Sequence, residues 1–310
     1  MERDTRLGRL VLAGRAGKGE GDVPACGIAL HAGAQERDGW WEESEKLLRH
    51  LCQVLSFACD SYLVSVYERR ARLGEDVYRF VSRGPTSQPH LPPFDMLYME
   101  QIFDCAVRSF EDRADAVARL DPAIRWLTAP AAYEENRLIN AMSGIESILA
   151  RAALPDLFME TDAFESLQKK VRKFLKAEGA PFGMRSKTAE LNRRSLRERL
   201  EALLDTHAIV RSDLDPDWMA TLIEARNLIV HTGVAPERSD DDDRLFPLVV
   251  QAREVVTRII LSELGFESQY RSWLHGDQYL EFPSCRPMSE VAAERQALQA
   301  SNANGSGETK

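Results

Sequence analysis

The stretch Trp218-Met-Ala-Thr-Leu-Ile-Glu-Ala-Arg226-Asn227-Leu-Ile-Val-His231-Thr-Gly233 joins a helical apolar stripe to polar residues that do not belong on one. Met219, Leu222, Ile223, Ile229 and Val230 recur at the three- and four-residue spacing of a single helix face. Arg226 falls inside that stripe, four residues after Leu222 and three before Ile229. A guanidinium that faces a core is costly unless an opposite charge answers it. Gly233 closes the segment, as expected of a residue free to take positive φ at a helix exit.

An answering charge lies upstream in Asn136-Arg-Leu-Ile-Asn-Ala-Met-Ser-Gly-Ile-Glu146-Ser-Ile-Leu149. The apolar face there uses Leu138, Met142, Ile145 and Leu149, and Glu146 sits at its edge. Two helices thus each carry one charge among apolar neighbours, and the charges are opposite. One reading is an ion pair that only fixes helix register; the other is a polar site built into the packing. His231 lies four residues after Asn227, so the two share a face. Histidine suits general acid or base work near neutral pH, while a histidine at a helix carboxyl end also serves as a plain cap. Arg226 and His231 are five positions apart, about 140° around an ideal helix and about 7.5 Å along it. They meet on one phosphate only if the helix loosens at this end or a second subunit completes the site.

Outward from these segments the chain is largely helical. Periodicity predicts helices over Trp40–Ala58, 93–120, 131–153, 162–177, 191–204, 215–231 and 246–264. Gly265 ends the last of these as Gly233 ends the one before. Short β-rich runs at 7–12 and 27–31 precede them, and 62–67 with 77–81 read as an antiparallel pair around Gly74. Pro85, Pro89, Pro92 and Pro93 mark an extended linker. The expected division is an α+β amino-terminal region (1–92), a connecting helical segment (93–130), a helical domain (131–285) and a disordered tail (286–310). The fold class is mainly α, a carboxyl-terminal helical bundle with a smaller α+β region in front.

Composition narrows the function. The chain has 310 residues, 44% hydrophobic and 29% charged, which is that of a globular protein. No apolar run reaches the roughly 20 residues that cross a bilayer, and no secretory signal opens the chain. Five scattered cysteines without a CxxC pair support neither a disulfide framework nor a zinc cradle, so the expectation is a reduced, cytoplasmic protein with no metal and no membrane partner. Gly14-Arg-Ala-Gly17-Lys18-Gly19 fails as a phosphate loop, which needs Ser or Thr where Gly19 stands and Gly where Leu12 stands. Asp240–Asp243 reads as negative charge at a helix amino end. His275-Gly-Asp277 has no nucleophile beside it, and Trp273, Tyr279 and Phe282 read as core or interface aromatics. Net charge is −9, yet residues 169–199 carry eleven Lys/Arg and three acids, hence +8 against −17 for the remainder. Lys169, Lys170, Arg172, Lys173, Arg193 and Arg194 are the candidate RNA contacts in that stripe. A solvated helical surface is the competing account. Phe182 and Met184, in the loop between, are placed to cover a base or to pack.

Arg226-Asn227-x-x-x-His231 before Thr-Gly, together with the upstream helix from Tyr133 to Glu146, resembles the signature of HEPN domains. Leu55-Ser-Phe-Ala58 in a less regular front region is similar to the ApeA-like group found in bacterial defence proteins. The resemblance implies an all-helical domain that pairs with a second copy, bringing two Arg/His motifs to one cleft. It implies a cofactor-free, metal-independent endoribonuclease, a toxin-like effector of antiviral (abortive-infection) defence, or a non-catalytic module that binds RNA, a nucleotide or a protein. Carried over by position, His231 would be general base or acid at the ribose 2′-hydroxyl and Arg226 would stabilise charge on the phosphate. Asn227 would position the phosphate or the histidine, and Glu146 would orient Arg226. The front region is shorter and less β-rich than an ApeA-type amino-terminal domain.

Overall fold

The computed structural model describes residues 1–15, 25–33, 38–63, 67–72, 75–80, 91–95, 97–233 and 245–305. The fold is mainly α. Its axis is the helix Leu245–Leu264, which buries Val249, Val250, Val255, Val256, Ile259, Ile260 and Leu261 together with a polar stripe of Gln251, Glu254 and Arg258. A helix buried on nearly all sides sits inside the bundle. Around it pack Met99–Leu127, Glu134–Leu149 and Trp218–Thr232. In chain order the helices are α1 (Trp40–Ala58), α2 (Met99–Leu127), α3 (Glu134–Leu149), α4 (Thr161–Ala177), α5 (Phe182–Ser186), α6 (Leu196–Thr206), α7 (Trp218–Thr232), α8 (Leu245–Leu264) and α9 (Met288–Gly305). Gly233 (φ 74°) and Gly265 (φ 66°) close α7 and α8 in the left-handed conformation, as their positions predict.

Strands β1 (Glu2–Thr5), β2 (Gly8–Arg15) and β3 (Ala25–His31) form an antiparallel sheet with Glu2 opposite Val11 and Arg9 opposite His31. Leu10 and Leu12 alternate inward from β2, and the Trp40 indole donates to the Leu7 carbonyl at 2.7 Å, tying sheet to α1. At Gly8 (φ 128°) an added Cβ would stand 2.1 Å from the His31 carbonyl oxygen, so only glycine fits. One cluster of buried side chains runs from Leu7 through α1, α2, α3, α6, α7 and α8 to Cys285. Fully burying each Leu, Ile or Val in it contributes about 1.5–3 kcal/mol.

Several expectations shift. The hairpin is β4 (Tyr67–Arg72) with β5 (Glu75–Phe80), not 62–67 with 77–81; its first strand reads Tyr-Glu-Arg-Arg-Ala-Arg, and charge hides a strand from hydrophobic patterning. Helix α2 continues past Pro122 to Leu127, because burying Ala123, Ile124 and Leu127 outweighs the proline; its one non-helical residue is Arg113. Helix α6 begins at Leu196 rather than 191, where Ser195 and Glu198 form a reciprocal capping box. A three-stranded antiparallel sheet, β6 (Gln269–Ser272), β7 (Gln278–Glu281) and β8 (Arg286–Pro287), has no counterpart in the sequence reading. Helix α9 occupies the segment read as a disordered tail, whose Ala, Glu, Gln and Leu are good helix formers. The phosphate-loop stretch beyond Arg15, Gly74, Pro85, Pro89 and Asp240–Asp243 lie outside the described residues.

Candidate functional site

Helix α3 turns Leu138, Met142, Ile145 and Leu149 into the core, which leaves Glu146 at the margin facing α7. There Glu146 Oε1 meets Arg226 Nη2 at 2.8 Å, so the two charges singled out on separate helices pair. Arg226 Nη1 donates to Asn227 Oδ1 at 3.1 Å, extending the chain of contacts from α3 to the polar residue beside the arginine. The pair is half-exposed, with 29% of the Arg226 side chain and 39% of the Glu146 side chain reached by solvent. The buried face of α7 is Trp218, Met219, Leu222, Ala225 and Ile229, and Val230 points outward. Arg226 therefore borders the stripe instead of lying inside it, and its free donors can still reach a ligand.

His231 stands exposed in the last turn of α7. With Ala220, Ile223, Glu224, Asn227 and Leu228 it lines a shallow depression along one outward stripe of the helix. The helix does not loosen: it runs to Thr232, and the Gly233 amide bonds the Ile229 carbonyl at 2.8 Å. Arg226 and His231 hence keep the divergence of an ideal helix within one chain.

Residues 150–195 form an arm between α3 and α6. Lys169, Lys170 and Lys173 are exposed on α4, and Arg193 is exposed beyond the arm's 3-10 turn (Lys187–Asn192). Arg172 donates to Thr188 Oγ1 at 2.9 Å, and Arg194 donates to the Leu157 carbonyl at 3.3 Å while lying 5.4 Å above the Phe158 ring. At the arm's root Arg199 donates to the Leu149 carbonyl at 2.8 Å, three residues beyond Glu146.

The most buried charge, Arg258, lies outside the residues that periodicity singles out. Arg258, fully enclosed on α8, forks onto Asp213 (2.8 and 2.5 Å), reaches Glu254 Oε1 at 2.9 Å and the Val210 carbonyl at 2.7 Å. Tyr270 and Ser272 of β6 donate to Glu254 at 2.6 and 2.9 Å. Burial opposes charge on Arg258, but Asp213 and Glu254 more than offset it and hold its pKa above the ordinary value. The same intrusion of charge among Val255, Val256, Ile259 and Ile260 that marks Arg226 marks Arg258. This network ties the β6–β8 sheet to the bundle. His275 Nε2 donates to the Asp213 carbonyl (2.9 Å), and Asp277 pairs with Arg271, whose guanidinium lies 4.3 Å above Trp273. Among the described residues no group of three His, Cys, Asp or Glu is placed to hold a metal ion, and no helix is long and apolar enough to cross a membrane.

Residues 139–270, a segment that holds Glu146, Arg226, Asn227 and His231, match the family of Apea-like HEPN domains. That segment is similar to Apea-like HEPN domains over about 43% of the chain. No curated protein and no solved structure gives a significant match.

Proposed function

We propose that the chain is an endoribonuclease of the HEPN type, acting as a homodimer in antiviral defence as a toxin-like effector, and cutting RNA by attack of a ribose 2′-hydroxyl. The observation that carries this reading is the Glu146–Arg226–Asn227 chain beside a solvent-facing His231 on one helix. His231 would remove the 2′-hydroxyl proton or supply the proton for the leaving 5′-oxygen. The new bond joins O2′ to phosphorus, the P–O5′ bond breaks, and a 2′,3′-cyclic phosphate remains. Arg226 would hold two phosphate oxygens as negative charge grows on them, its fork aimed by Glu146 and Asn227. None of these steps calls on a metal or a cofactor.

Because α7 stays regular, the arginine and histidine of one site are best supplied by two copies. The stripe of Ile223, Leu228 and Val230 around His231 is the apolar margin on which a second copy would seat. Their divergence within one chain also favours a second reading, a module that binds RNA, a nucleotide or a protein partner without cutting. Replacing the ribose at the cut site by 2′-deoxyribose separates them. Loss of cleavage with retained binding supports the nuclease; continued cutting refutes 2′-hydroxyl attack; binding with no cutting of any RNA supports the second reading.

A further inference from the structure

The arm 150–195 has no apolar core. Its two buried residues, Thr188 and Asn192, are polar. Hydrogen bonds hold it instead: the Asn192 amide accepts from and donates to the Met159 backbone (3.0 and 2.9 Å), and the Arg194 amide donates to the Asp156 carbonyl at 2.9 Å. Helix α4 buries none of its residues, although it is strongly two-sided. Yet the arm is rich in large apolar side chains, and it leaves them outside. Phe158, Phe174 and Phe182 are 51%, 63% and 77% exposed, with Leu167, Met184 and Leu191 exposed nearby. The elements that carry them, α4, α5 and the 3-10 turn, pack against one another, and the Phe158 amide bonds the Asn192 carbonyl at the end of that turn, so the exposed apolar side chains gather on one small arm, as at a binding surface.

The surroundings say what binds. Guanidinium groups already lie over two of the rings, Arg194 over Phe158 at 5.4 Å and Arg185 over Phe182 at 5.8 Å. Lys169, Lys170 and Lys173 stand exposed on the helix that carries Phe174. Rings interleaved with cations offer stacking to planar bases and charge to the phosphates between them. A hydrocarbon layer would have to strip those guanidinium groups from the rings. We propose that the arm is a docking surface for unpaired RNA bases, with Phe158, Phe174 and Phe182 as stacking platforms and Lys169, Lys170 and Lys173 as phosphate contacts. A duplex, whose bases are stacked internally, cannot use the rings. The proposal rests on RNA being the ligand of the site on α3 and α7, whose Glu146 lies one helical turn from the arm's root.

The test uses the full chain and a fluorescent single-stranded 2′-O-methyl oligonucleotide, which has no 2′-hydroxyl to attack, beside its duplex. The single strand should bind at least about tenfold tighter than the duplex. Replacing Phe158, Phe174 and Phe182 together by alanine should weaken the single strand about tenfold or more and leave duplex binding unchanged. Circular dichroism should show an unaltered fold, since no core residue is touched, and Phe182→Trp should retain affinity. Equal affinity of the triple variant and the wild type overturns the proposal. So does ring-dependent binding to vesicles containing anionic phospholipid with no binding of the oligonucleotide. The two readings fail separately: ring-dependent binding of an RNA that is never cut sinks the nuclease and keeps the arm, and RNA cut equally well by the triple variant does the reverse.

Discussion

At the scale of single residues the two arginines found on helix faces have opposite fates. Arg258 is fully enclosed and pairs with both Glu254 and Asp213. Replacing Arg258 by alanine strands two carboxylates, and the expected loss is about 3–5 kcal/mol in urea unfolding. A loss under about 1 kcal/mol would show that the network is not structural. Arg226 with Glu146 is half-exposed, and exposed pairs contribute about 0–1 kcal/mol. Glu146→Ala should leave the unfolding midpoint nearly unchanged while lowering RNA cleavage. His231→Ala should keep the fold, because the ring is exposed, and reduce cleavage by about 10²–10⁴-fold, the ordinary worth of a general acid or base. An unfolded His231→Ala protein would make the histidine a cap and nothing more. Reversing both charges of the 146/226 pair decides between packing and chemistry: restored stability together with restored cleavage would mean that the pair only sets helix register.

At the scale of elements, the contact of α1 with α2 makes stability depend on pH. His50 is buried between them, with Nε2 2.8 Å from the Ala106 carbonyl and 3.2 Å from Ser109 Oγ. Burial pushes its pKa down to about 4, against a weaker upward pull from the Ala106 carbonyl. The folded pKa lies below the unfolded one, so the neutral ring is favoured by folding. That contribution, on the order of 3 kcal/mol, is complete above about pH 6.5 and drains away as pH falls toward 4. Urea midpoints measured from pH 7.5 to pH 5 should fall, and His50→Gln should flatten the slope; an unchanged slope would remove His50 as its cause. Where α3 meets α2 the opposite kind of change is open. A Cβ at Gly144 would meet the Ala123 carbonyl oxygen at 3.6 Å, an ordinary contact. Gly144→Ala should therefore raise stability by about 0.5–1 kcal/mol through helix propensity alone, read as a higher thermal midpoint.

At the scale of the whole molecule the question is how many chains make one site. If His231 of one copy faces Arg226 of another, inactive His231→Ala and inactive Arg226→Ala chains should recover cleavage when mixed, since a mixed pair rebuilds one intact site. Mixtures that stay inactive under conditions where the copies associate would place each site within one chain. A charge on the outward stripe, Leu228→Glu, should shift the protein to monomer in sedimentation and abolish cutting without disturbing the core.

Local rules read much of this protein. The period of apolar residues placed α1 to the residue and α7 within three, the glycines at 233 and 265 ended their helices, and the opposite charges at 146 and 226 were matched across 80 positions of chain. Each of these is a statement about neighbours on one helix, where spacing alone fixes geometry. The sequence did not show that Arg226 borders the core while Arg258 is sealed inside it, because both carry the same signature of charge amid apolar residues. Nor did it show the sheet of β6–β8, whose short strands gain their stability from Tyr270 and Ser272 reaching a carboxylate on α8, or that the arm's aromatic rings stay outside. Depth of burial belongs to the packing of distant elements, and no residue carries that information alone.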